Sequence, residues 1–317
     1  MIHLFIPSPD SSSITLGPLE LRAYGLMIAL GVIAAVELAR RRFVQRGLDP
    51  DDMTVIAMWA VPAGLVGARL YHVITDWRRF AEDDGWFEAV KIWNGGLGIP
   101  GGVIAGVIVG VLVARHRNVP IGPGIDAAIP GVPLAQAIGR LGNWFNQELF
   151  GEPTTVPWAL EIDPEHRPVG YLDYQTFHPT FAYEALWNLA LVGVLIWIDK
   201  RRVLRPGYLL AVYVAGYSMG RLWVELLRID PASLILGIRV NVWMSVIAFV
   251  VSVVVLVLFG RRRPGDGTEE PAAADDTDDT DGGEADAGDG GADDAEGTTS
   301  EPGGEPEATA TQSEPGA

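Results

Sequence analysis

The amino-acid sequence predicts an all-α integral membrane protein of seven transmembrane helices, with its N-terminus outside and its C-terminus in the cytoplasm. Two observations carry this: seven apolar segments of spanning length, and basic clusters after every second one. A bilayer-crossing helix needs about 20 mostly apolar residues. Such segments fall at about 20–39, 53–75, 95–114, 122–141, 180–198, 207–228 and 240–260.

The first span runs from Leu21 to Leu38, with Glu37 near its inner end. The second carries a charge, Arg69, toward its far end. In the third, Gly102, Gly106 and Gly110 recur every four residues, a spacing that lets a neighbouring helix approach closely. Pro130 and Pro133 interrupt the fourth, so it should be kinked or partly irregular. Such a break survives in a membrane only where protein or a wet cavity satisfies the freed backbone. The fifth opens at His178, Tyr183 and Glu184, and the sixth contains Arg221 and Glu225. The seventh, Val240 to Gly260, is the cleanest apolar run. Between the fourth and fifth lies the longest connection, about 142–179, expected to form a small head on the outer side.

Direction follows from the positive charges. Arg40, Arg41, Arg42 and Arg46 follow span one, Arg115 and Arg117 span three, Lys200, Arg201 and Arg202 span five, and Arg261, Arg262 and Arg263 span seven. Arg78 and Arg79 blur the second exit, but every odd exit is basic. The N-terminus has no basic region of the kind that opens a signal peptide, so the first apolar segment is expected to be a retained span.

The net charge of −17 belongs to the tail. Residues 264–317 hold 18 of the 40 acidic residues and no Lys or Arg, leaving 22 acidic against 23 basic in 1–263. Two regions result: a membrane domain, 1–263, and an acidic cytoplasmic tail, 264–317, expected to be disordered because it has little to bury. No basic stripe suits nucleic acid. The chain has no cysteine, which excludes disulfides, thiolate metal sites and a cysteine nucleophile of its own.

Given this direction, polar groups converge at the outer level. The stretch GRLGNWFNQELFG, Gly139–Gly151, puts Arg140, Asn143, Asn146 and Glu148 at the outer end of span four. A charge at membrane depth is costly and marks a functional candidate. A cation, two amides and a carboxylate suit a phosphate ester better than a metal or a sugar. Arg221 and Glu225, four apart and on one helix face with Arg228 following, join it from span six. Arg69, Tyr24, His178 and the Asn94–Gly95–Gly96 turn complete the level. Each also has a structural alternative: Arg221 with Glu225 as a self-neutralising pair, Arg69 as a helix bridge, Tyr24 as an interfacial belt residue, His178 as part of a helix entrance. Asp126, on the inner side, fits helix packing.

Two motif matches fail their context. Gly96, Gly98 and Gly101 spell G-x-G-x-x-G without a strand–helix unit. Gly216, Ser218 and Gly220 spell G-x-S-x-G inside a membrane helix.

The stretch Gly139–Gly151 resembles the signature of bacterial prolipoprotein diacylglyceryl transferases. LRAYG at Leu21–Gly25, GARLYHV at Gly67–Val73, WNGGLGIPGG at Trp93–Gly102, HPTFAYE at His178–Glu184 and GRLWVELLR at Gly220–Arg228 extend the resemblance across about 20–260. It implies a multi-pass enzyme of the bacterial inner (plasma) membrane, working without metal or cofactor. The partners implied are phosphatidylglycerol, prolipoprotein signal peptides with a lipobox cysteine, and the surrounding membrane lipids. The diacylglyceryl group would pass to the cysteine thiol and glycerol phosphate would leave. By the same resemblance Arg140 takes the phosphate, with Arg221 as second cation; Asn143 and Asn146 hold the headgroup; Glu148 and Glu225 orient the arginines; Tyr24 lines the lipid entrance; Arg69, Gly95 and Gly96 contribute to binding. Many members carry a histidine where this chain has Pro100, so the proton acceptor falls to His178, to Glu148 or to no dedicated base. A flippase would instead place its polar groups at the midplane within repeats, and an intramembrane protease would need a catalytic pair that the Ser218 and His178 arrangement does not supply.

Overall fold

The computed structural model describes residues 5–9, 11–16, 19–81, 86–91 and 95–261. The acidic tail and its expected disorder lie outside the described residues, as do Trp93 and Asn94.

The described chain is mostly helical. Five of its helices are long and apolar enough to cross a membrane: α1 (Ala23–Val44), α2 (Pro50–Thr75), α5 (Ile99–His116), α8 (Thr180–Arg201) and α10 (Val240–Phe259). Two short helices, α3 (Trp77–Ala81) and α4 (Trp86–Val90), follow α2. The fourth apolar segment is divided into α6 (Ile121–Ala128) and α7 (Gly131–Phe145), and the sixth is α9 (Leu209–Leu227), diluted by Arg221 and Glu225. Three antiparallel pairs of short strands, which sequence patterning does not reveal, join them: β1 (Ser13–Leu16) with β2 (Leu19–Arg22), β3 (Leu160–Glu161) with β4 (Thr176–Phe177), and β5 (Leu234–Ile235) with β6 (Ile238–Arg239). Strands of two to four residues are too short for an alternating pattern to register.

Outward-facing apolar side chains such as Val66 and Val257, each 67% exposed, are left uncovered by the described residues. Surface of this kind along several spanning helices is matched to hydrocarbon rather than water. The multi-pass membrane class follows.

Small residues set the helix pairs. A Cβ on Gly31 would lie 2.9 Å from the Ala135 carbonyl oxygen, and one on Gly131 2.7 Å from that of Ala35. This locks α1 antiparallel to α7 and brings Tyr24, at the start of α1, against Gly142 near the end of α7. The glycines of α5 pack in the same way on α2: Gly102 against the Gly64 carbonyl and Gly106 against that of Ala60.

Pro130 breaks the fourth segment as its sequence predicts, and the freed backbone finds a partner. The carbonyl of Asp126 would bond the residue-130 amide, which proline lacks. Arg42, only 3% exposed, donates to it instead through Nη2 (3.2 Å) and to the Ala127 carbonyl through Nε (3.0 Å). Its charge is met by Asp199 at 2.8 Å. Arg42 is therefore an internal strut of the bundle rather than one more exposed basic residue after span one. The Asp126 carboxylate accepts the Gly207 and Leu209 amides, tying the broken segment to the start of α9.

The third span, α5, starts at Ile99, later than the expected 95, because the chain before it forms a loop. Gly95 and Gly96 have φ of +84° and +74°, where a side chain is strained. Between α7 and α8, Phe150, Leu160, Ile162 and Phe177 form a separate apolar core around β3–β4, with Ile6 bonded to Ala159 and Glu161. This is the small head expected between the fourth and fifth segments.

Candidate functional site

Arg140 sits in the penultimate turn of α7, Glu184 in the second turn of α8, and Arg221 and Glu225 in the last two turns of α9. Antiparallel packing of these helices brings one end of each together, where α1 and α10 both begin. Glu184 occupies the centre. One carboxylate oxygen pairs with Arg140 Nε and the other with Arg221 Nη1 at 3.0 Å. Arg221 Nη2 lies 2.7 Å from Glu225, which is wholly buried. Glu225 also pairs ionically with Arg239, whose Nε lies 2.7 Å away, and accepts from the Asn241 side-chain amide at 3.1 Å, with Arg228 at 4.0 Å. Asp230 closes the chain of charges, accepting from Arg228 (2.6 Å) and Arg239 (3.1 Å).

This arrangement widens the sequence reading. Arg221 and Glu225 do pair along one helix, but the pair is a link in a ladder crossing four helices. Glu184, Arg239 and Asp230 extend the site beyond the residues that the sequence marks, and Glu184 is the one that joins Arg140 to Arg221. Its signal was present: a carboxylate in the second turn of an apolar helix, at the level already marked by charges.

Glu148 does something other than orient an arginine. Its carboxylate accepts from the side-chain amides of Asn143 (2.8 Å) and Asn146 (3.2 Å), and Asn143 in turn accepts from Arg140 Nη1 at 3.4 Å. The reason is local. Gln147 and Leu149 both have positive φ (51° and 59°), which folds Glu148 back over the end of α7. Two non-glycine residues in this region are costly and persist only where surroundings hold them. Here Gln147 is clamped by Asp163 through two hydrogen bonds, and the Leu149 carbonyl accepts from the Thr180 hydroxyl. Gly151 ends the loop where no side chain fits: a Cβ would lie 2.9 Å from the Leu227 carbonyl oxygen and 3.0 Å from His178 Cβ.

Arg69 is used differently from Arg140 and Arg221. A guanidinium has five N–H donors. Arg69 directs four at carbonyl oxygens, those of Glu88, Ala89, Gly95 and Gly96, and stands over the Phe80 ring at 5.5 Å. It holds the Gly95–Gly96 loop, and the helix-bridging alternative describes it better than direct substrate binding. Among the described residues Arg140 and Arg221 each engage two protein partners, which leaves N–H groups on both for a ligand. Gly95 borders open space, whereas Gly96 is backed by His72 and Arg69.

The His178 ring bonds the Tyr183 hydroxyl through Nδ1 at 3.0 Å, and that hydroxyl also accepts from Trp158 Nε1 at 3.0 Å.

Asp230 lies in the loop beyond α9. Burial alone would raise its carboxyl, but the hydrogen bonds and charges of Arg228 and Arg239 outweigh this and hold it below the ordinary carboxylate range. A depressed folded-state value stabilises the fold above the unfolded carboxyl pKa, about 3.9, and that stability is lost as pH falls through the folded value. Melting temperature should therefore decline on acidification below about pH 4, less steeply in Asp230→Asn. Equal acid slopes in the two proteins would remove Asp230 from this role.

A model of the prolipoprotein diacylglyceryl transferase family matches residues 11–258. A Frankia alni protein named phosphatidylglycerol–prolipoprotein diacylglyceryl transferase is 51% identical over 273 residues, covering 86% of this chain and 71% of its own. Proteins of the same name from Streptomyces griseus (48% over 263 residues; 82% and 79%) and Corynebacterium efficiens (47% over 278 residues; 84% and 86%) are similar along comparable spans.

Proposed function

This chain belongs to the prolipoprotein diacylglyceryl transferase family, and on that premise we propose how its residues move the diacylglyceryl group of phosphatidylglycerol onto a prolipoprotein. The acceptor is the thiol of the lipobox cysteine. Its sulfur forms a bond to the glycerol carbon next to the phosphate while the bond from that carbon to the phosphate oxygen breaks. Glycerol phosphate leaves with the electron pair, and the thiol gives up its proton.

The single observation that carries the assignment is the Glu184 bridge. It fixes two guanidinium groups side by side and leaves N–H donors on each. Arginine forks match phosphate oxygens bidentately. Donors already aimed where charge grows on the leaving phosphate need no rearrangement as the bond breaks. Arg140 and Arg221 bind the phosphate, Glu184 and Glu225 hold their orientation, and Asn143 and Asn146, fixed by Glu148, receive the glycerol headgroup. Tyr24, packed on Gly142, flanks the way in from the lipid. Arg69 acts through the Gly95–Gly96 loop.

Counting the broken α6–α7 segment as one crossing gives seven. The basic residues Arg41, Arg115, Arg117 and Arg201 lie at the helix ends opposite Arg140 and Arg221. By the positive-inside tendency the site then faces the outer side of the plasma membrane, where signal peptides emerge.

The direct test is purified enzyme with phosphatidylglycerol labelled in its acyl chains and a lipobox peptide. A thioether-linked labelled product, lost with a Cys→Ser peptide, is expected; no label on the cysteine peptide would defeat the reading. For the proton acceptor, His178→Ala should abolish the acid limb of the pH–rate profile, since the neutral imidazole is the competent form. An unchanged profile would exclude His178.

A further inference from the structure

One helical turn deeper than the arginines, α8 and α9 border a small, partly open polar cavity. It is lined by Glu184, Trp187, Asn188, Tyr217, Gly220 and Arg221 and has a volume of about 10 Å³. Asn188 follows Glu184 by four residues and shares its helix face. Its side chain is 2% exposed, and its Oδ1 is wholly buried without a hydrogen-bond partner among the described residues. Native interiors seldom leave such an acceptor unmet. The cavity cannot be closed by its own walls. Trp187 Nε1 already donates to the Gly216 carbonyl at 2.9 Å, and the missing side chain of Gly220 is what leaves room for the Trp187 ring.

We infer that this cavity is a built site for a single water, and that Asn188 acts through it as a positioning residue for Arg221. The volume matches one water molecule. The polar groups match too: a water donates to Asn188 Oδ1 and to the Glu184 carboxylate and accepts from an Arg221 N–H. Three partners are the usual number for a buried water. A guanidinium held by Glu184, Glu225 and this water has little freedom to turn. Its remaining donors therefore stay aimed where charge develops on the departing phosphate. The effect should fall on kcat, because orientation of these donors matters most in the transition state.

This inference rests on the phosphate-clamp reading of Arg140 and Arg221, and the experiment separates the two. Asn188→Leu removes the acceptor at similar volume; Asn188→Asp keeps an acceptor oxygen in place. For the leucine variant we expect kcat to fall about tenfold, with the KM for phosphatidylglycerol within about twofold, as loss of an orienting contact predicts. The aspartate variant should recover most of kcat. An experimental structure of the wild-type enzyme fine enough to resolve waters should show one in the cavity, and the leucine variant should lack it. Unchanged kcat in Asn188→Leu while Arg140→Ala is inactive would overturn the inference and leave the clamp standing. Loss of kcat in the aspartate variant as deep as in leucine would overturn the hydrogen-bond account. A rise in KM matching the loss would mean that Asn188 meets the lipid headgroup directly, and no water density in the wild type would equally reject the site. If Arg140→Ala were fully active, the clamp itself would fail.

Discussion

Arg140→Ala is expected to lower diacylglyceryl transfer by about 10²–10³-fold, the usual effect of deleting one preorganised donor to a developing anion. The fold should survive. Arg140 is at the rim of the charge ladder, with a side chain 20% exposed, and its removal leaves Glu184 still paired with Arg221. The expected signature is therefore a large loss of rate with a melting temperature close to that of the wild type. Arg140→Lys should recover only part of the rate, because an ammonium cannot engage Glu184 and present a fork to phosphate at once. Initial rates with labelled phosphatidylglycerol, alongside thermal melting in the same detergent, measure both. Wild-type rates in the alanine variant would sink the phosphate assignment.

The second large effect is on stability. Glu225 is wholly buried and is the shared counter-ion of Arg221 and Arg239, with Arg228 nearby. Glu225→Leu would leave these guanidiniums facing one another with only Glu184 and Asp230 to balance them. Removing one partner from a buried ionic group costs about 3–5 kcal/mol, mostly because the remaining charge is uncompensated. Glu225→Asp should also be impaired, since a carboxylate one methylene shorter cannot reach α9 and the start of α10 together. Both variants should melt earlier and lose activity in parallel, unlike Arg140→Ala. An unaltered melting temperature in Glu225→Leu would show that the ladder contributes nothing net to stability.

Apolar length alone made the spanning helices legible, because a lipid-facing helix must be apolar over its full length. Pro130 announced the break between α6 and α7 because a proline has no amide to donate, whatever surrounds it. The level of the site was legible as well: Arg140, Asn143, Asn146, Arg221 and Glu225 stand out as charges and amides where apolar residues belong. How those groups are shared was not. Arg69 and Arg140 look alike in sequence, each a lone cation near a helix end. Four backbone carbonyls converge on one, a carboxylate and a side-chain amide on the other. The family resemblance assigns Glu148 to the arginines, but the left-handed turns at Gln147 and Leu149 direct it to the asparagines. The strand pairs escaped because two to four residues cannot carry a periodic signal.

The sequence by itself determined the membrane class, the apolar segments, the break in the fourth of them and the residues that gather at one end. Those properties depend on the cost of placing each residue type in hydrocarbon, and that cost is paid residue by residue. Only the tertiary structure decided that Glu184 joins Arg140 to Arg221, that Arg239 and Asp230 belong to the same ladder, and that Arg42 replaces the amide Pro130 lacks. Ion pairs and hydrogen bonds act over a few ångströms between groups up to 85 positions apart, so they exist only once the helices have packed.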